Sequence, residues 1–132
     1  MSREIEIEKT YLAKFLPSDL FKSKSVKMVD LYIPKESEHC KLRIRQKDDS
    51  YTITKKTVVK PGDSSVQTED NIIINAAEFK ALNKIRGHRL EKTRYFYSYG
   101  GRTAEIDVFS GALKGLALVD FEFSSKKEAD DF

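Results

Sequence analysis

The chain has 132 residues, 39% of them hydrophobic and 34% charged, with a formal net charge of +3. That suffices for one domain with an ordinary core but not for a polyanion-coating surface, so the role of its 24 Lys and Arg residues depends on where they gather. The single Cys40 excludes an internal disulfide and a multi-cysteine metal site, and no apolar run reaches the roughly 20 residues of a membrane span. The N-terminus carries no apolar leader, so the reading is a cytoplasmic protein with no membrane partner.

The first element is announced by EIEIEKTYL, in which Glu4, Glu6 and Glu8 alternate with Ile5 and Ile7. Period two predicts a strand, over about 3–12, with all three carboxylates on one face. Neighbours on that face lie about 6.6 Å apart and repel by about 2.5 kcal/mol at an effective dielectric near 20, against about 0.6 in water. The triplet is therefore nearly free on a solvated face and needs cations in an enclosed one. A short helix is expected near PSDLFKSK with Ser18 as its cap, and KSKSVK (22–27) reads as a solvated loop. Strands follow at about 28–33, 40–47, 50–59, 67–75, 89–99, 102–109 and 116–123, punctuated by the hairpin-type connections KDDS, KPGDSS and YGGR. Asn75 and Glu78 have the spacing of a capping box for a helix carrying Phe79, Leu82 and Ile85 up to Gly87. Ser125 and Glu128 start another helix just before Phe132.

Many short antiparallel strands with few helices predict a mainly β fold, either a sandwich or a closed eight-stranded barrel. The charges bear on that choice. Arg43 and Arg45 stand two apart, as do Lys92 and Arg94, Glu105 and Asp107, and Asp120 and Glu122; Thr52, Thr54 and Lys56 also share a face, and Glu69 opens the run before NIIIN. A solvated outer face is the simplest account of any one such strand. Same-sign pairs repeated on separate strands gain stability only if opposite strands or a bound ion compensate them. The alternative is a barrel with a polar lumen holding one charged ligand. Five gathered cations (Arg43, Arg45, Lys56, Lys92, Arg94) suit a compact polyanion, with Arg forks matching phosphate oxygens. Carboxylates beside phosphate make sense if a hard cation such as Mg²⁺ or Mn²⁺ lies between them. The residues thus point to metal-assisted phosphate chemistry inside a barrel.

EIEIEKTYL, LRIRQ, YTITKK, KTRYFY, EIDVF and GLALVDFEF, in that order over about 3–123, resemble the CYTH proteins, also called triphosphate tunnel metalloenzymes. The resemblance implies an eight-stranded antiparallel tunnel, one domain over 1–132, and a helical segment after the last strand of which this chain carries only the beginning. It implies phosphate binding by Arg43, Arg45, Lys56, Lys92 and Arg94. Metal binding falls to Glu6, Glu8 and Glu122, with Glu69, Asp107 and Asp120 close behind. Glu6, Glu8 and Lys56 are the expected catalytic groups, and Glu4, Lys9 and Glu105 the additional candidates. The family signature Glu-x-Glu-x-Lys aligns on Glu6, Glu8 and Thr10 if Tyr11-Leu12 sets the register, putting Thr at the Lys position. A shift of two aligns it on Glu4, Glu6 and Glu8. Lys9 faces the tunnel only if a bulge turns it inward.

The implied function is divalent-metal-dependent hydrolysis of a small triphosphate: tripolyphosphate, thiamine triphosphate or a nucleoside triphosphate. An adenylate cyclase of the same fold and a non-catalytic polyphosphate or nucleotide sensor are the alternatives. No nucleic-acid polymer is expected as partner, because alternating Tyr95, Phe96, Tyr97 and Tyr99 read as packing. A homodimer is compatible with the chain. His39 and His88 read as surface or satisfied polar positions rather than metal ligands, and Cys40 lacks an activating neighbour in the sequence.

Overall fold

The computed structural model describes residues 2–132. Eight antiparallel strands, β1 (Ser2–Leu12), β2 (Lys24–Ile33), β3 (Leu42–Lys47), β4 (Ser50–Lys60), β5 (Asp63–Ile74), β6 (His88–Tyr99), β7 (Arg102–Ser110) and β8 (Ala117–Glu122), close into a barrel. Their order around it is β1-β5-β4-β3-β2-β6-β7-β8. Two short helices, α1 (Ala76–Leu82) and α2 (Lys126–Asp131), lie outside. β1 makes the closure: Ser2–Ile7 pair with β5, and Glu8–Leu12 pair with β8. No helix among the described residues is long and apolar enough to cross a membrane.

The tight turns follow from their residues. Gly100 and Gly101 both have positive φ (55° and 76°), the conformation a two-residue hairpin turn requires between right-twisted strands. Gly87 serves a different end, since a Cβ there would stand 2.5 Å from the Tyr32 carbonyl oxygen. The capping box at α1 forms as the spacing predicts: Glu78 N–H donates to Asn75 Oδ1 at 2.8 Å, and Asn75 N–H donates to Glu78 Oε1 at 2.9 Å. Ser125 caps α2 by accepting from Glu128 N–H at 3.0 Å.

Packing inverts the usual barrel. The largest apolar clusters lie on the outer wall. Leu31, Ile44 and Phe79 pack with Ile33, Ile53, Ile74 and Leu82 beneath α1, while Leu20, Ala104, Ile106, Phe121 and Phe123 pack with Ala129 of α2. The buried charges Asp30, Arg43, Arg45, Lys92 and Asp107 come from inward-facing positions. Ile7 packs on the outer cluster, which fixes the facing of β1: with Ile7 outside, Glu6 and Glu8 must point in.

Three local expectations are corrected. KSKSVK is not a free loop, because Lys24–Lys27 begin β2, with Val26 buried opposite Arg94. Closure of the sheet against β6 sets that strand's length, and local pattern does not report it. PSDLFKSK yields a single 3₁₀ turn at Leu20–Lys22, with Asp19 rather than Ser18 at the cap position. The Asp19 carboxylate instead accepts a hydrogen bond from the Tyr97 hydroxyl at 3.0 Å. α1 ends at Leu82, leaving Ile85 in the following turns and 42% exposed.

Candidate active site

The lumen is a cavity of about 380 Å³. Every inward candidate from the sequence lines it: Glu4, Glu6, Glu8, Arg43, Arg45, Lys56, Glu69, Lys92, Arg94, Glu105, Asp107, Asp120 and Glu122, with Thr10 beside them. Lys9 is the exception. β1 runs without a bulge, and the Lys9 ammonium lies outside, about 6 Å from the ring centres of Phe123 and Phe132. Thr10 is inward and its hydroxyl donates to the Asp120 carboxylate. Glu4, Glu6, Glu8 and Thr10 therefore form one inward row, with Glu4 toward the strand's start and Thr10 toward its end.

The cations are held by partners across the strands. Arg45 makes a two-pronged contact with Asp30, at 2.6 and 2.8 Å. Arg94 does the same with Asp107, at 2.7 and 3.0 Å, and reaches Glu105 at 3.4 Å. Lys92 Nζ stands 2.9 Å from Asp107 and 3.8 Å from Asp30. Lys56 Nζ lies 3.0 Å from Glu6 and 3.6 Å from Glu69. Arg43 differs from the other four: it has no carboxylate within ion-pair distance among the described residues. It donates to Thr54 Oγ1 at 3.3 Å, and its Nε–H is buried without an acceptor. Thr54 passes that contact on to Asn71 Oδ1 at 2.6 Å, and Asn71 to Glu69 at 3.2 Å.

The carboxylates divide into two kinds. Asp107 and Glu69 are committed to cations or amides, and Asp107 is held below its ordinary value: burial opposes this, but the Arg94 hydrogen bonds and the Lys92 charge prevail. Glu6, Glu8 and Glu122 instead converge, with one oxygen from each lying within 4.8 Å of the others. Burial, then the like charges around them, raise Glu8 and Glu122. Burial and a shared hydrogen bond with Glu69 push Glu6 up to about 7. Glu69 falls to about 2, since that hydrogen bond, Asn71, Lys56 and Arg43 together outweigh its own burial. Three oxygen donors that repel one another at this spacing are the donor set a hard divalent cation takes. Glu6 Oε2 is buried and lacks a well-directed hydrogen bond, although the Lys56 ammonium is near. These residues fit such a cation.

The sequence reading picked no residue on β2, yet Asp30 is fully buried and is the anchor for Arg45. Its signal lies in MVDLYI: a lone Asp amid apolar residues, on the face opposite Val29 and Leu31. Thr54 and Asn71, which connect Arg43 to Glu69, carry no charge and stand out only by register with β3 and β5.

No family model matches the chain. A curated Nitrosomonas europaea protein named inorganic triphosphatase is 34% identical over 129 residues, covering 96% of this chain and 82% of that protein. A crystal structure of an inorganic triphosphatase superposes with a TM-score of 0.65 at 31% identity, covering 96% of this chain and 79% of the other. The structure of a proposed adenylate cyclase from Bacillus halodurans shares the fold, with a TM-score of 0.69, 21% identity and coverage of 99% and 87%.

Proposed function

Because this chain belongs to the CYTH family of triphosphate tunnel metalloenzymes, we propose that it hydrolyses a phosphoric anhydride bond of a small triphosphate, inorganic tripolyphosphate foremost, inside the barrel. The observation that carries this reading is the division of the lumen. Glu6, Glu8 and Glu122 converge on one side, and an uncompensated Arg43 lies among the ion-paired Arg45, Lys92 and Arg94 on the other. Enzymes of this tunnel family are generally metal-dependent. Mg²⁺ or Mn²⁺ suits an all-carboxylate donor set.

Glu6, Glu8 and Glu122 would hold the cation, with Asp120 adjoining them. The chemistry supplied by that cation is Lewis-acid polarisation of phosphoryl oxygens. Arg43, Arg45, Lys92 and Arg94 grip the phosphate chain, and their prior fixation by Asp30 and Asp107 spares reorganisation as charge develops. Lys56, held between Glu6 and Glu69, stands where it can shift toward a phosphoryl oxygen. Water attacks the terminal phosphorus. The new P–O bond forms as the bridging P–O bond breaks, and a carboxylate of the Glu6–Glu8 row takes the water's proton.

The test is a panel of tripolyphosphate, thiamine triphosphate and ATP with Mg²⁺ or Mn²⁺, in which phosphate and cyclic AMP are measured together. Phosphate is expected, with a loss of about 100-fold or more in kcat/KM for Arg43→Ala and for Glu6→Gln. Cyclic AMP as the main product would favour the cyclase, and binding without turnover would favour the sensor.

A further inference from the structure

A second, wider cavity of about 1100 Å³ opens beside the lumen and shares Glu8 and Thr10 with it. Its origin is the closure of the barrel. β1 leaves β5 after the Ile7–Val66 pair and joins β8 at Glu8, so Asp63–Ser65 of β5 have no partner on β1 and the wall gapes there. Into this vestibule projects Lys41. It precedes β3, but its carbonyl accepts from Lys56 N–H at 2.8 Å, continuing the ladder with β4. The strand alternation is thereby kept, and Lys41 follows the same inward row as Arg43 and Arg45.

Lys41 and Arg43 are neighbours on that row, and neither has a carboxylate within ion-pair distance among the described residues. The Lys41 ammonium donates to Gln67 Oε1 at 3.2 Å, and Arg43 has only Thr54. Of the carboxylates facing the vestibule, Asp63 is taken up by Ser65 and lies 3.7 Å from Lys126, and Glu8 belongs to the convergent cluster. Two like charges in adjacent inward positions, with neutral partners and a nine-tenths buried Arg43 Nε–H lacking an acceptor, are a site for an anion that bridges them.

We propose that Lys41 and Arg43 together take a free terminal phosphate at the vestibule end of the tunnel, and that Lys41 makes the chain favour unesterified linear triphosphate over nucleoside triphosphate. This rests on the triphosphate reading above. The vestibule is the wider of the two cavities and has the room for an organic group attached to the triphosphate. An esterified phosphate at that end carries one charge fewer than a free terminal one and brings a sugar beside the ammonium.

The experiment is calorimetric titration, with Mg²⁺, of tripolyphosphate and of ATP into wild type, Lys41→Met, Lys41→Arg and Lys84→Met, followed by turnover on the same preparations. Lys41→Met should weaken tripolyphosphate binding about tenfold and lower the tripolyphosphate-to-ATP affinity ratio about fivefold, with Lys41→Arg restoring most of it. Lys84→Met, an equal charge loss remote from the vestibule, should leave the ratio where it was. An unchanged ratio in Lys41→Met, an equal change in Lys84→Met, or a wild type that binds neither ligand would overturn the inference. Binding with the expected ratio but without turnover would uphold it while removing the hydrolytic function.

Discussion

Glu6 is pulled both ways by its surroundings, with burial and Glu69 favouring its proton and Lys56 opposing it. Burial and the hydrogen bond shared with Glu69 lift it to about 7, so without a cation it is mostly protonated below neutrality. The sign of the linkage follows. A carboxyl raised above its unfolded value near 4.5 favours the fold below that value, and the benefit drains away as pH rises through about 7. Wild type stripped of divalent ions should therefore lose thermal stability from pH 5 to pH 8 relative to Glu6→Gln, and Mg²⁺ should recover it at pH 8. Parallel pH profiles for the two proteins would contradict this account of Glu6.

At the scale of elements, Asp30 acts as a strut, tying β2 to Arg45 of β3 and Lys92 of β6. Asp30→Asn leaves a buried guanidinium without its counter-charge, which should cost about 3–5 kcal/mol in urea unfolding. A loss below about 1 kcal/mol would show that the strut is dispensable. The same elements show how much of the molecule was readable in its sequence. All eight strands were legible in place, most of them because one face is charged and the other apolar, so period two survives. β2, whose inward face is Val26, Met28, Asp30 and Tyr32, has no such charged face, and both β2 and β5 begin earlier than their local pattern shows. The facing of β1 was not legible in β1 alone; it followed from the same-sign pairs on the other strands, and the structure agrees, with Ile7 on the outer cluster and Glu6 and Glu8 lining the lumen. Asp30 was not legible as an anchor, because a single Asp in MVDLYI has no same-sign partner two residues away. Thr54 and Asn71 are neutral, and their importance exists only through register with Arg43 and Glu69. The outward position of Lys9 follows from the absence of a bulge, which sequence alone leaves open.

For the whole molecule, the lumen is lined by eight carboxylates and six cationic side chains. A bare polyanion would meet a surface already short of positive charge, so on the proposed function the binding of triphosphate should be coupled to that of a divalent cation. The apolar outer wall, covered in part by α1 and α2, supplies the burial that holds these charges together. The function proposed for this lumen is metal-dependent hydrolysis of a triphosphate. The most direct measurement is phosphate release from tripolyphosphate by one wild-type preparation, first with Mg²⁺ or Mn²⁺, then with excess chelator, then with the cation restored. Turnover should fall at least 100-fold with chelator and return with the metal. Turnover indifferent to chelation, or none in any of the three conditions by a folded protein, would contradict that function.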